Sequence, residues 1–280
     1  MVLPSPPKES AEVAPVRARR GGVGNLFGRV ALVLVLVAFI AGGAWALGAL
    51  NRKDVDPLAP PPFLVPLQEV SPGAAAPGAA QLPQPAQQQQ GADPVDEWAR
   101  RVSSKTDIPV RALKAYAQAD VIMQSQAPAC RMSWATLAGI GRVESHHGSI
   151  FGARLQDTGL PSKPIIGVPL NGSPGVRAIH DTDGGAYDGD TTWDRAVGPM
   201  QFIPGTWQRW AQRAAGDGLQ ADPQNIDDAA LTAARYLCAG GRDVGTGAGW
   251  WQAIMSYNNS VEYGRNVFSG ADAYARASLS

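Results

Sequence analysis

Ser133-Trp-Ala-Thr-Leu-Ala-Gly-Ile-Gly-Arg-Val-Glu-Ser-His-His-Gly148 reads as one helix of about four turns, with Ser133 as its N-cap and Gly148 as its stop. Trp134, Leu137, Ala138 and Gly141 recur at helical spacing, and the next turn of that stripe carries Glu144 and Ser145. A carboxyl placed there is partly withdrawn from water and meets the negative end of the helix, and both effects raise its pKa. A general acid working near neutral pH requires such a carboxyl. A glutamate near a helix end fits a solvated face equally well, and this helix alone leaves both readings open.

Helical patterns continue on either side. Asp93-Pro94 is a cap followed by a proline in the first turn and opens a helix through about Val102. A second helix follows Pro109, where Leu113, Tyr116, Ala117, Ile122 and Met123 keep a helical period. Further helices are expected from Thr206, from Asn225 to Ala239 before Gly240-Gly241, from Trp250 to Tyr257, and as a short tail from Val261 to Tyr274. No alternating strand pattern stands out, so residues 94–280 are expected to form an all-α, predominantly helical domain. It is interrupted by a Gly-, Asp- and Pro-rich insert from Arg154 to Thr192, and loops of that length inside a domain are usually functional.

Within the insert, Asp181-Thr-Asp-Gly-Gly-Ala-Tyr-Asp-Gly-Asp190 resembles a calcium loop at its start. Its twelfth position is Thr192, where a bidentate glutamate is needed, so Asp181 and Asp183 are weak metal candidates and no cofactor is expected. Glu144-x-x-His147 matches half of a di-iron helix motif, but a second copy is missing. His146 and His147 then read as exposed polar residues at a helix end. Gln201, in Gly198-Pro-Met-Gln-Phe-Ile-Pro204, offers an amide that both donates and accepts; it suits either an acetamido ligand or a backbone contact in the core.

Residues 30–50 form a run of 21 without a charge, long enough as a helix to cross a bilayer. Arg17, Arg19, Arg20 and Arg29 precede it, which predicts a disordered cytoplasmic tail over 1–29 and an extracytoplasmic remainder. Ala44-Trp45-Ala46 also fits a signal-peptidase site, which would release a secreted form. Residues 51–93, rich in Pro, Ala and Gln, read as a linker without apolar periodicity, so the domain is expected to fold from about Asp93. Lys plus Arg equals Asp plus Glu, so no basic field suggests nucleic acid. Cys130 and Cys238 are the only two cysteines; an exported location permits a disulfide between them, against two buried thiols.

Glu144-Ser145, Gly198-Pro-Met-Gln-Phe-Ile-Pro204 and Ala253-Ile-Met-Ser-Tyr-Asn258, in this order, resemble the lytic transglycosylases, which share a lysozyme-like fold. Ala196–Trp207 and Asp222–Tyr236 resemble the membrane-bound B type, and the Asp-rich insert with two cysteines resembles actinobacterial versions. The resemblance covers roughly residues 95–275. It implies cleavage of the β-1,4 bond between N-acetylmuramic acid and N-acetylglucosamine in peptidoglycan, leaving a 1,6-anhydromuramyl end. By position, Glu144 would be acid and then base, Ser145 its orienting neighbour in contact with substrate, Gln201 a substrate-binding amide, and Tyr257 with Asn258 the cleft wall. The alternatives are a hydrolytic muramidase using Asp181, Asp183, Asp190 or Asp194 to position water, and a non-catalytic wall-binding domain.

Overall fold

The computed structural model describes residues 63–78, 82 and 94–279, all within the unit Pro62–Ser280. Residues 1–62, which include the apolar run and the basic tail before it, lie outside the described residues. Among the described residues no helix is long and apolar enough to cross a membrane.

Among the described residues seven α-helices carry the fold: α1 (Pro94–Ser103), α2 (Val110–Gln126), α3 (Trp134–Ser145), α4 (Pro204–Trp210), α5 (Ile226–Leu237), α6 (Gly247–Tyr257) and α7 (Val261–Leu279). α1 starts on proline, with Asp96 and Glu97 in its first turn and Arg100 and Arg101 in its last, so its charges oppose the macrodipole at both ends. Ser133 caps α3 and Asn225 caps α5, each side-chain oxygen accepting from a first-turn amide.

α3 is the central helix, buried from Trp134 through Gly141. It crosses α7 so closely that a β-carbon on Gly139 would lie 2.6 Å from the Val267 carbonyl oxygen. That contact admits only glycine. α2 packs on α5 through small side chains, Ala112, Ala115 and Ala119 on one helix and Ala229, Ala230 and Ala233 on the other, all buried. Trp98 meets Trp134 edge-on at 5.0 Å, and the Trp250 indole N–H donates to Thr136 Oγ1 at 3.1 Å. Cys130 and Cys238 are joined in a disulfide with Cα atoms 5.5 Å apart, tying the turn before α3 to the C-cap of α5.

Four features differ from the sequence reading. β1 (Ile166–Pro169), inside the insert, pairs antiparallel with β2 (Arg195–Val197), just after it; strands of four and three residues are too short for an alternating pattern to register. α3 stops at Ser145 rather than near Gly148, because His146 and His147 both take positive φ. α7 runs to Leu279, five residues past the expected Tyr274. Within the stretch read as a linker, residues 63–78 lie along α7. Phe63 stacks on Tyr274 at 5.4 Å, Gln68 binds Ser269 and Asp272, and Arg265 reaches the Val70 carbonyl and Glu69. An extended chain packs through scattered apolar residues and its own backbone, so it shows no helical or alternating period. A domain cut near Gly91 loses all of these contacts.

Candidate active site

The last turn of α3 delivers Glu144 to the wall of a cleft of about 310 Å³, which Gln201, Phe202, Tyr236, Tyr257 and Asn258 also line. Tyr263, in the first turn of α7, donates its hydroxyl to Glu144 Oε1 at 2.6 Å. Burial pushes the Glu144 carboxyl up to about 7, and the Tyr263 hydrogen bond pulls partly the other way. Burial, and after it the nearby Glu144 charge, push the Tyr263 phenol well above its ordinary range, so it stays a donor. With Oε1 accepting from Tyr263, a proton on the Glu144 carboxyl sits on Oε2. Glu144 is the only carboxylate among the described residues that line the cleft.

Facing Glu144, the turn 198–201 closes a short hairpin in which Val197 and Phe202 exchange both backbone hydrogen bonds at 2.9 Å. Gly198 has φ +79°, and a β-carbon there would lie 1.8 Å from the Pro223 carbonyl oxygen, so no other residue fits. Three successive carbonyls of the turn each receive a side-chain donor. Gln201 Nε2 donates to Gly198 O at 3.0 Å, Ser145 Oγ to Pro199 O at 2.5 Å and the Tyr257 hydroxyl to Met200 O at 2.7 Å.

These bonds revise the roles of the residues expected to touch substrate. Ser145 is fully buried, takes a second hydrogen bond from Gly148 N at 2.7 Å and does not line the cleft. Its hydroxyl is committed to backbone on both sides, so it ties the end of α3 to the turn and cannot bind a ligand. Gln201 does line the cleft, but its amide nitrogen donates to the Gly198 and Ala196 carbonyls, which leaves Oε1 as the atom without a hydrogen bond among the described residues. Tyr257 contributes an aromatic wall, packed edge-on against Phe202 at 5.8 Å and Tyr236 at 5.9 Å. Asn258 is exposed beside it, with an amide that bonds no other described residue.

His147, expected at the surface, is buried. The Tyr274 hydroxyl donates to Asp107 Oδ1 at 2.6 Å, so it accepts from His147 Nε2 at 3.1 Å, which leaves Nδ1 to accept from the Tyr116 hydroxyl at 3.1 Å. Burial pushes the His147 pKa down to about 3, so the ring is neutral. This chain fixes the turn that follows Ser145, and it accounts for the backbone at 146–147 leaving the helix.

The aspartates of the insert serve the insert itself. One oxygen each of Asp181, Asp183 and Asp194 falls within 4.8 Å of the others. Asp181 accepts from the amides of Asp183, Gly184 and Gly185, Asp183 from Tyr187, and Asp194 from the amide and hydroxyl of Thr182. Asp190 accepts from Thr192 and Trp193 and pairs with Arg195. Backbone amides hold Asp181 and Asp190 below the usual carboxylate range. None of the four lines the cleft.

No family model matches the chain, and no curated protein matches it. Two solved structures do. The Escherichia coli lytic transglycosylase Slt35 in complex with bulgecin A is 14% identical with a TM-score of 0.37, over 68% of this chain and 82% of that one. The same enzyme in complex with calcium is 16% identical with a TM-score of 0.36, over 66% and 80%. At these values the likeness does not assign a function, and the cleft's own residues carry the reading that follows.

Proposed function

We propose that the chain cleaves the glycan strands of peptidoglycan as a lytic transglycosylase, with Glu144 as its single acid and base. The observation that carries this reading is a lone raised carboxyl on the wall of a cleft without a second carboxylate. Glycosidases that add water use a pair, one to protonate the leaving oxygen and one to activate water or attack the sugar. A reaction in which the sugar's own hydroxyl closes on the anomeric carbon needs one group, used twice.

Glu144 Oε2–H protonates the glycosidic oxygen as the C1–O4 bond breaks, leaving a carboxylate whose Oε1 keeps the Tyr263 hydrogen bond. The carboxylate then takes the proton of the muramyl C6 hydroxyl as that oxygen bonds to C1. The proton account closes without water. Burial favours the protonated start, and the Tyr263 bond lowers the cost of the charged intermediate stage. Tyr236 and Tyr257 supply aromatic surface for a sugar ring, while Asn258 and Gln201 Oε1 offer the amide chemistry that acetamido groups pair with.

The test is mass spectrometry of purified peptidoglycan digested with the protein. Muropeptides ending in 1,6-anhydromuramic acid are expected. Reducing ends would make the protein a muramidase, and an undigested wall that retains the protein would make it a binding domain.

A further inference from the structure

The hairpin formed by residues 170–179 is held by the Asn171–Ala178 bridge and by the Ile179 amide donating to Leu170 O at 2.8 Å. It places Leu170 and Arg177 on the wall of the Glu144 cleft. Arg177 is exposed and makes no hydrogen bond or ion pair with any described residue. Among the described residues it is the one cationic side chain that lines the cleft. Arg111, Arg131, Arg142, Arg195 and Arg213 each grip an aspartate. Arg177 does not serve Glu144 either, whose pKa is governed by burial and Tyr263. A neutral amino sugar offers no charge for a guanidinium to meet. A carboxylate does, and guanidinium binds it in a two-pronged geometry.

On the reading that the substrate is peptidoglycan, we propose that Arg177 binds a carboxylate carried by the muramyl substituent and so makes the cleft prefer anionic muramyl strands over neutral amino-sugar oligomers. Two sources share this chemistry: the lactyl carboxylate of a strand stripped of peptide, and the free carboxylates of an attached stem peptide.

The test uses the full chain carrying Glu144→Gln, so that bound glycan is not cleaved, with and without Arg177→Gln. Three ligands are titrated: an N-acetylglucosamine tetramer, a peptide-free tetrasaccharide with free lactyl carboxylates, and the same tetrasaccharide with stem peptides amide-linked at the lactyl groups. Arg177→Lys, which keeps the charge but not the fork, is the third protein. The proposal expects the Glu144→Gln chain to bind at least one anionic ligand roughly tenfold tighter than the neutral one at low salt, with the preference shrinking as salt rises. Arg177→Gln should bring that ratio close to one, and Arg177→Lys should leave it between. The anionic ligand that is preferred identifies the source. Glycan binding with equal affinities, or a preference that survives Arg177→Gln, overturns the role of Arg177 and leaves the glycan reading standing. Failure of all three ligands to bind overturns the glycan reading itself, and the proposal with it.

Discussion

The two ends of α3 each hold a carboxyl whose pKa burial has raised, and they do different things. At the N-terminus, Asp120 of α2 accepts from the Trp134 amide at 2.8 Å and from Gln124 Nε2 at 2.8 Å, and sits at about 6. Both of its oxygens are engaged, and the positive end of the helix faces its charge. At the C-terminus, Glu144 sits at about 7, lines a cleft and has one oxygen held by Tyr263, while the other takes no hydrogen bond from the described residues. There the helix end opposes the charge. Burial thus raises the pKa of a carboxyl with both oxygens engaged as well as of one that lines a ligand-sized space and keeps an oxygen without a hydrogen bond among the described residues.

The largest expected effect is on turnover. Glu144→Gln keeps the side chain's shape and removes both proton transfers, so release of anhydromuropeptides should fall by about 10²- to 10⁴-fold while circular dichroism stays that of the wild type. Asp120→Ala should leave turnover per folded molecule unchanged, since Asp120 does not line the cleft. Activity lost in proportion at both ends would erase the distinction.

Tyr263→Phe comes next. Removing a hydrogen bond to a charged carboxylate costs about 1.5–3 kcal/mol, so turnover should fall roughly ten- to a hundredfold, measured at a pH below 7 where Glu144 is protonated.

Stability should change least, and in opposite directions at the two ends. Asp120→Ala leaves the Trp134 amide unpaired in a buried setting and should cost about 1–3 kcal/mol in urea unfolding. Glu144 has a folded pKa above its unfolded value, so the stability tied to its proton is present below about pH 4.5 and is lost as pH rises through about 7. Glu144→Gln removes that loss. Above pH 7 the variant should be more stable than the wild type, with the gain fading toward pH 4.5.

The helices were legible because their signals are local. Ser133, Asn225 and Pro94 mark starts that the structure keeps, and the stripe Trp134, Leu137, Ala138 and Gly141 is buried as its spacing implies. The next turn of that stripe carries Glu144, which lines the cleft. What stayed hidden depends on partners far along the chain. Tyr263 lies 119 residues from Glu144, and nothing in Val261–Tyr263 marks it as a donor to that carboxyl. His147 is buried only because Tyr116 and Tyr274 converge on both its nitrogens, 31 and 127 residues away. Ser145 looked like a ligand-binding neighbour of Glu144 because both lie on the last turn, but successive helix residues point about 100° apart. Arg177 could have been suspected from the length of the insert, whereas its position on the cleft follows from the Asn171–Ala178 bridge.

The measurement closest to the central claim is the pH dependence of kcat/KM for anhydromuropeptide release, in the wild type and in Tyr263→Phe. If Glu144 must be protonated to begin, the wild-type profile falls with a single ionisation near pH 7, and loss of the Tyr263 hydrogen bond, which lowers the Glu144 pKa, moves that limb to higher pH. A profile that runs flat through pH 7, or a limb that Tyr263→Phe leaves in place, would contradict Glu144 as the acid.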